Sequence, residues 1–255
     1  RVDRRQRQMC IRDRNNTWFN LLEVNFGYSI QPNQDVKTDD KIEFTTRYDR
    51  ELGNPKWSVS AFGNVRTQLL DGFANPEDSK FPDSLRISSF LSPAYATYGL
   101  GFTNKSIDGL VVYISPATVK NTFVNDSALA YGSSFFDVNA ANVSDLAKGK
   151  MRWEFGAFVD IIYAKQFNDN LEVSSKLSLF SNYLDRPQNI DVTWEGLLLI
   201  KANKWLTASL LLNLIYDHDI SVRDTNGDGV LNAPGTQFKE VLGVGLSYSF
   251  GAFKE

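Results

Sequence analysis

Three sets of residues have the types and spacing for chemistry. In "DTNGDG" (224–229), Asp224, Asn226 and Asp228 stand two apart, and Gly229 follows. Hard oxygen donors at alternate positions, then a glycine for a sharp turn, suit a calcium ion. The twelfth position of such a loop is Gly235, where a bidentate Glu belongs. The ligand set is therefore half complete, and Asn-Gly and Asp-Gly favour turns unaided. The second set is "DHD" (217–219), which holds the one histidine, His218. A histidine with a serine or carboxylate partner could serve a hydrolase or an acyltransferase. Neighbours in a strand point to opposite faces, so at most one flanking acid could orient it. A plain loop histidine is the simpler reading. The third set is a row of charged residues at alternate positions: Lys41, Glu43, Arg47, Arg66, Glu154, Asp160, Glu172, Lys176, Asp191 and Glu195. Mixed signs along one face could line a small pore or lock its interior with ion pairs.

The elements that must position these residues are strands. Period two dominates the chain. In "WEFGAFVDIIY", Trp153, Phe155, Ala157, Val159 and Ile161 alternate with Glu154, Gly156 and Asp160. In "FKEVLGVGLSYSF", Phe238, Leu242, Val244, Leu246, Tyr248 and Phe250 alternate with Lys239, Gly243, Gly245, Ser247 and Ser249. Gly243 and Gly245 have no strand-to-helix context for phosphate binding and read as strand glycines that permit curvature. The pattern predicts ten strands, roughly 17–30, 40–48, 56–68, 86–103, 109–120, 151–166, 170–183, 189–201, 204–217 and 237–250. These are longer than the five or six residues usual in soluble sheets and suit tilted membrane strands.

Composition narrows the classes. The 255 residues carry a formal charge of −3. Six of the 27 basic and two of the 30 acidic residues stand in the first fourteen, so the remainder carries −7. Such a body is a poor partner for nucleic acid. Beyond Cys10 there is no cysteine, which excludes a disulfide framework, a thiolate metal site and a cysteine nucleophile. The longest apolar runs, such as "LLLNLIY", are too short for a membrane helix. That leaves membrane strands open. Predicted connections alternate short and long, as in barrels with short periplasmic turns and long outer loops. Trp18, Trp57 and Tyr163 then fall near one membrane edge, and Tyr28, Trp153 and Tyr216 near the other. A soluble lipocalin-like barrel binding a small apolar ligand gives the same period and stays open as an alternative.

Several stretches resemble a known family: "KTDDKIEF" (37–44), "RISSFLSPAYATYGLGFT" (86–103), "YISPATVKNTFVND" (113–126), "LFSNYLDRPQNIDVTWE" (179–195) and "FKEVLGVGLSYSF" (238–250). Together they are similar to the Bacteroidota family called domain of unknown function 3078, predicted outer-membrane β-barrels. The most telling motifs are Ser115–Pro116 before a lysine-bearing strand end and the terminal "EVLGVGLSYSF". The resemblance implies a Gram-negative outer membrane, a lipid-bilayer partner and a cleaved signal peptide, and it implies no activity. Leu246, Tyr248 and Phe250 resemble the terminal signal read by the barrel-insertion machinery.

The opening differs from all of this. Residues 4–13, "RRQRQMCIRD", resemble the in-frame translation of a transposase sequencing adapter from a metagenomic contig. The expectation is a disordered foreign segment over 1–14 and a barrel over 15–255. The fold expected is an all-β, antiparallel, up-and-down transmembrane barrel with ten visible strands, truncated from about twelve. Its expected role is structural or that of a small, porin-like pore, with no enzymatic activity and no cofactor beyond calcium at 224–229. A gap or strained pairing between 17–30 and 237–250 should mark the truncation.

Overall fold

The computed structural model describes residues 2–31, 34–73, 86–126, 151–223, 225–227 and 233–246. The strands are β1 (Val2–Arg12), β2 (Asn16–Gln31), β3 (Gln34–Glu51), β4 (Trp57–Thr67), β5 (Gly72–Phe73), β6 (Arg86–Ser88), β7 (Ala94–Ile107), β8 (Leu110–Phe123), β9 (Met151–Asn168), β10 (Leu171–Asn182), β11 (Ile190–Lys201), β12 (Leu206–Arg223) and β13 (Ala233–Leu246). No helix is long and apolar enough to cross a membrane, which leaves crossing by strands open. Eleven strands form one up-and-down antiparallel sheet in chain order, with β5 and β6 paired separately inside the β4–β7 connection. The sheet curls on itself, because residues of β2, β3 and β4 share one cavity with residues of β11, β12 and β13. Among the described residues no ladder joins β1 to β13.

Three expectations are corrected. The segment expected to be disordered is β1, which pairs with β2 from Val2↔Gly27 to Arg12↔Thr17. Ladder bonds come from backbone groups, so a chain held beside the open edge of β2 by a three-residue turn pairs with it whatever its side chains. Asp13 closes that turn, its N–H donating to the Asn16 carbonyl at 2.9 Å. The stretch 86–103 is two elements: Arg86–Ser88 joins the small sheet and the long strand begins at Ala94. The chain breaks before Pro93, which has no N–H for a ladder. The connection expected after residue 30 is strand instead, since β2 and β3 pair out to Gln31↔Gln34.

One end of the sheet has only short turns: 13–15, 52–56, 108–109, 169–170 and 202–205. The other, here the upper end, has the longer connections 68–93, 124–150, 183–189 and 224–232, with 32–33 the short exception. Asp40 ties the first of these to the wall. Its carboxylate accepts from the N–H of Leu69 at 3.0 Å and of Leu70 at 2.8 Å. Close strand approach leaves no room for side chains at two glycines. A Cβ on Gly101 would meet the Ile114 carbonyl, and one on Gly156 the Ser181 carbonyl.

Candidate functional site

Side chains alternate between the two faces of every strand, so the register sorts them. The pairs Glu23↔Glu43, Glu43↔Arg66 and Arg66↔Tyr95 start one face. It continues through Lys120↔Glu154, Asp160↔Ser178, Lys176↔Glu195 and Glu195↔Asn213. This is the concave, interior face. Its buried members are mostly polar, among them Glu43, Arg47, Asp49, Ser60, Thr103, Ser115, Thr118, Glu154 and Asp160, with Phe62, Tyr113 and Phe180 the buried apolar ones. The opposite face is apolar and exposed. Phe44, Val65, Leu100, Phe102, Ile114 and Phe155 all lie open, and on β13 Phe238 is 58%, Leu242 71% and Leu246 75% exposed. Polarity is thus reversed from that of a soluble domain.

The upper interior is organised around Lys120. Its ammonium lies 2.8 Å from Asp191, 3.7 Å from Glu154 and 3.7 Å from Asp217. It also lies 5.0 Å from the Phe180 ring centroid, within cation–π range. Arg152 bridges Glu154 at 3.1 Å and pairs with Asp219. Four strands therefore meet through two cations and four carboxylates. At mid-height Lys41 joins Glu43 at 2.9 Å and Glu23 at 3.7 Å. Asn64 donates to Glu43 at 2.8 Å. Arg66 lies over Tyr95 at 5.0 Å.

Lower down, the β4–β8–β9 interior is filled. Phe62, Tyr113 and Phe158 lie with ring centroids 5.3, 5.5 and 6.3 Å apart. Beneath them Asp49 takes Lys105 at 2.6 Å and Arg47 at 3.0 Å. Ser60 and Thr103 share a 2.6 Å hydrogen bond beside it. Two cavities remain above, of about 180 and 230 Å³. They share Arg66, Glu195 and Ile215 as a common wall.

The charged row read from the sequence lies on this face. Lys41, Glu43, Arg66, Lys176, Asp191 and Glu195 border the cavities. Arg47, Glu154 and Asp160 are buried beside them, and Glu172 is an exposed residue one position into β10. Alternation alone misses Lys120. A register shift between Ser115 and Thr118 moves the interior face of β8 from odd to even positions. It also misses Asp219, because β12 runs on to Arg223 instead of ending at 217, and it takes Asp217 only as a flank of His218. His218 is therefore a strand residue rather than a loop one, with its Nδ1 3.2 Å from the Tyr216 hydroxyl. Asp217 and Asp219 pair with Lys120 and Arg152 across the interior, so neither orients it. Asp224 and Asp228 lie outside the described residues, as do Tyr248 and Phe250; Asn226 is exposed. No cluster of His, Cys, Asp or Glu among the described residues has metal-binding geometry.

Curled antiparallel topology with a charged, ion-paired interior defines the class: an up-and-down all-β barrel fold turned polar side inward. The comparisons with known proteins are narrower. A family model described as "Protein of unknown function (DUF3078)" matches residues 6–73, from within β1 to the end of β5. That match supports the resemblance to an uncharacterised β-barrel family. No curated protein matches the chain. A solved structure of the NanC porin is similar over 97% of this chain and 94% of its own, at 10% identity and a TM-score of 0.43.

Proposed function

We propose that the chain is a non-enzymatic β-barrel of the Gram-negative outer membrane with a passive role, passing small polar solutes through its interior. The reversed polarity carries this reading. In water, an exposed apolar face around a whole sheet would drive association. In lipid that face is the stable one, while backbone groups pair within the sheet and charges stay inside. A lipocalin-like reading would need the apolar face inward, and Leu242 and Leu246 point out. A rim enzyme would need a partner for His218, and both flanking acids are committed elsewhere. Leu246, Tyr248 and Phe250 are proposed as the signal for the barrel-insertion machinery, and calcium at 224–229 is not required.

The test is refolding in detergent, followed by gel migration with and without boiling and by conductance in a planar bilayer. Unboiled protein should migrate faster, and inserted protein should give small, stepwise currents. A chain that stays soluble without detergent and migrates the same either way would refute the membrane assignment. Lipid and peptide hydrolysis should be at background, and His218→Ala should leave it there.

A further inference from the structure

We infer that the interior binds a small organic anion, its carboxylate held between Arg66 and Lys176. The inference rests on the membrane-barrel reading for the route by which a solute arrives, and on side-chain geometry for the site itself. The cavity of about 180 Å³ is bordered by four carboxylates and three cations. Each carboxylate already has a donor. Glu43 takes Lys41 at 2.9 Å and Asn64 at 2.8 Å. Asp191 and Asp217 take Lys120 at 2.8 and 3.7 Å. Glu195 accepts from Asn213 at 3.4 Å. Lys120 is correspondingly occupied by three acids.

Arg66 and Lys176 differ. Among the described residues neither has a carboxylate within 4.0 Å. Their ladder neighbours are acids, Glu43 opposite Arg66 and Glu195 opposite Lys176, but both stand farther off than 4.0 Å, and the Arg66 guanidinium carbon lies 5.0 Å from the Tyr95 ring centroid. The two cations stand on β4 and β10, which the curl of the sheet brings to one cavity. A guanidinium and an ammonium facing a confined, poorly screened space are strong donors to a carboxylate. Phe62 and Phe158, stacked with centroids 5.5 Å apart, give the same cavity an apolar wall. A cavity of about 150 Å³ holds benzene, so this one admits an anion the size of benzoate. Arg66 also borders the neighbouring cavity of about 230 Å³ with Lys239, a third cation without a close carboxylate among the described residues. Arg66 is thus positioned to hand an anion from one cavity to the next.

The experiment compares benzoate, benzyl alcohol and benzylamine binding to the full chain refolded in a zwitterionic detergent, by calorimetry or saturation-transfer NMR. Benzoate should bind about tenfold or more tightly than benzyl alcohol, the size expected of one charge-assisted bond. Arg66→Gln and Lys176→Gln should each weaken benzoate about tenfold and leave benzyl alcohol unchanged. Benzyl alcohol binding as well as benzoate, or benzylamine binding better than both, would overturn the inference. Heat-modifiable migration reports folding of each variant. If one does not refold, the three-ligand series on the unaltered chain decides. Bilayer insertion without preference for benzoate refutes the site and leaves the membrane reading. Preference for benzoate in a chain that never enters a bilayer does the reverse.

Discussion

Lys120 shows how single residues hold this interior together. One ammonium satisfies Asp191, Glu154 and Asp217, which come from three different strands. Removing it leaves Glu154 with Arg152 but Asp191 and Asp217 facing each other without a cation, and an uncompensated buried charge is far more costly than the pair was worth. Lys120→Met should therefore destabilise the folded chain by about 3 kcal/mol. Asp191→Asn should cost only about 1 kcal/mol, because Lys120 keeps two acids and the amide still accepts a hydrogen bond. Urea unfolding of protein refolded into vesicles, followed by tryptophan fluorescence, separates the two. Equal losses would mean that Lys120 acts through its contact with Phe180, 5.0 Å away, instead of through charge.

At the scale of elements, alternation decides which side chain meets lipid and which meets the interior, and "LLLNLIY" is a direct place to test it. Leu210 stands opposite Leu198 and Leu242 on the outward face, while Leu211 stands opposite Leu197 and Val241 on the inward one. Leu210→Arg should cost about 2–4 kcal/mol in a bilayer, as arginine does on a lipid-facing strand near the midplane. Leu211→Arg puts the same charge into a cavity bordered by Glu23, Asp39 and Glu195, and should cost less than half as much. Equal penalties in vesicle unfolding would refute the face assignment. The same alternation explains what was legible beforehand. Strand positions and the charged row follow from period two, because hydrophobic and polar residues at even and odd places leave few registers open. Lys120 was not legible, since a bulge flips parity without changing composition. The Phe62–Tyr113–Phe158 packing was not legible either, because only the curl of the sheet brings β4, β8 and β9 to one point. Period two also misplaced the ends of β3 and β12, where polar residues such as Asp35 and Asp219 extend strands that hydropathy had already ended.

For the whole molecule, strand number governs closure. Eleven strands in an up-and-down sheet leave the first and last pointing the same way, so β1 could meet β13 only by a parallel ladder. Bacterial single-chain barrels have even strand numbers for this reason. The first strand is also chemically out of place. Arg7 occupies the register position opposite Leu22, on the face that is apolar elsewhere, and is exposed there. An arginine near a bilayer midplane costs about 2–4 kcal/mol. Against this stands the price of baring β2, whose unpaired N–H and C=O groups would cost several kcal/mol each in lipid. Without residues 1–12 that edge need not stay bare. β2 and β13 run in opposite directions, ten strands remain, and an antiparallel ladder between those two would restore pairing. A chain lacking residues 1–12 should therefore refold into vesicles at least as well as the full one and keep its heat-modifiable migration. Cysteines placed on outward positions of β2 and β13 in that shortened chain should cross-link under mild oxidation. Loss of folding on truncation, with no cross-link formed, would instead make β1 an integral stave of the wall and leave Arg7 needing a neighbouring strand to shield it from lipid.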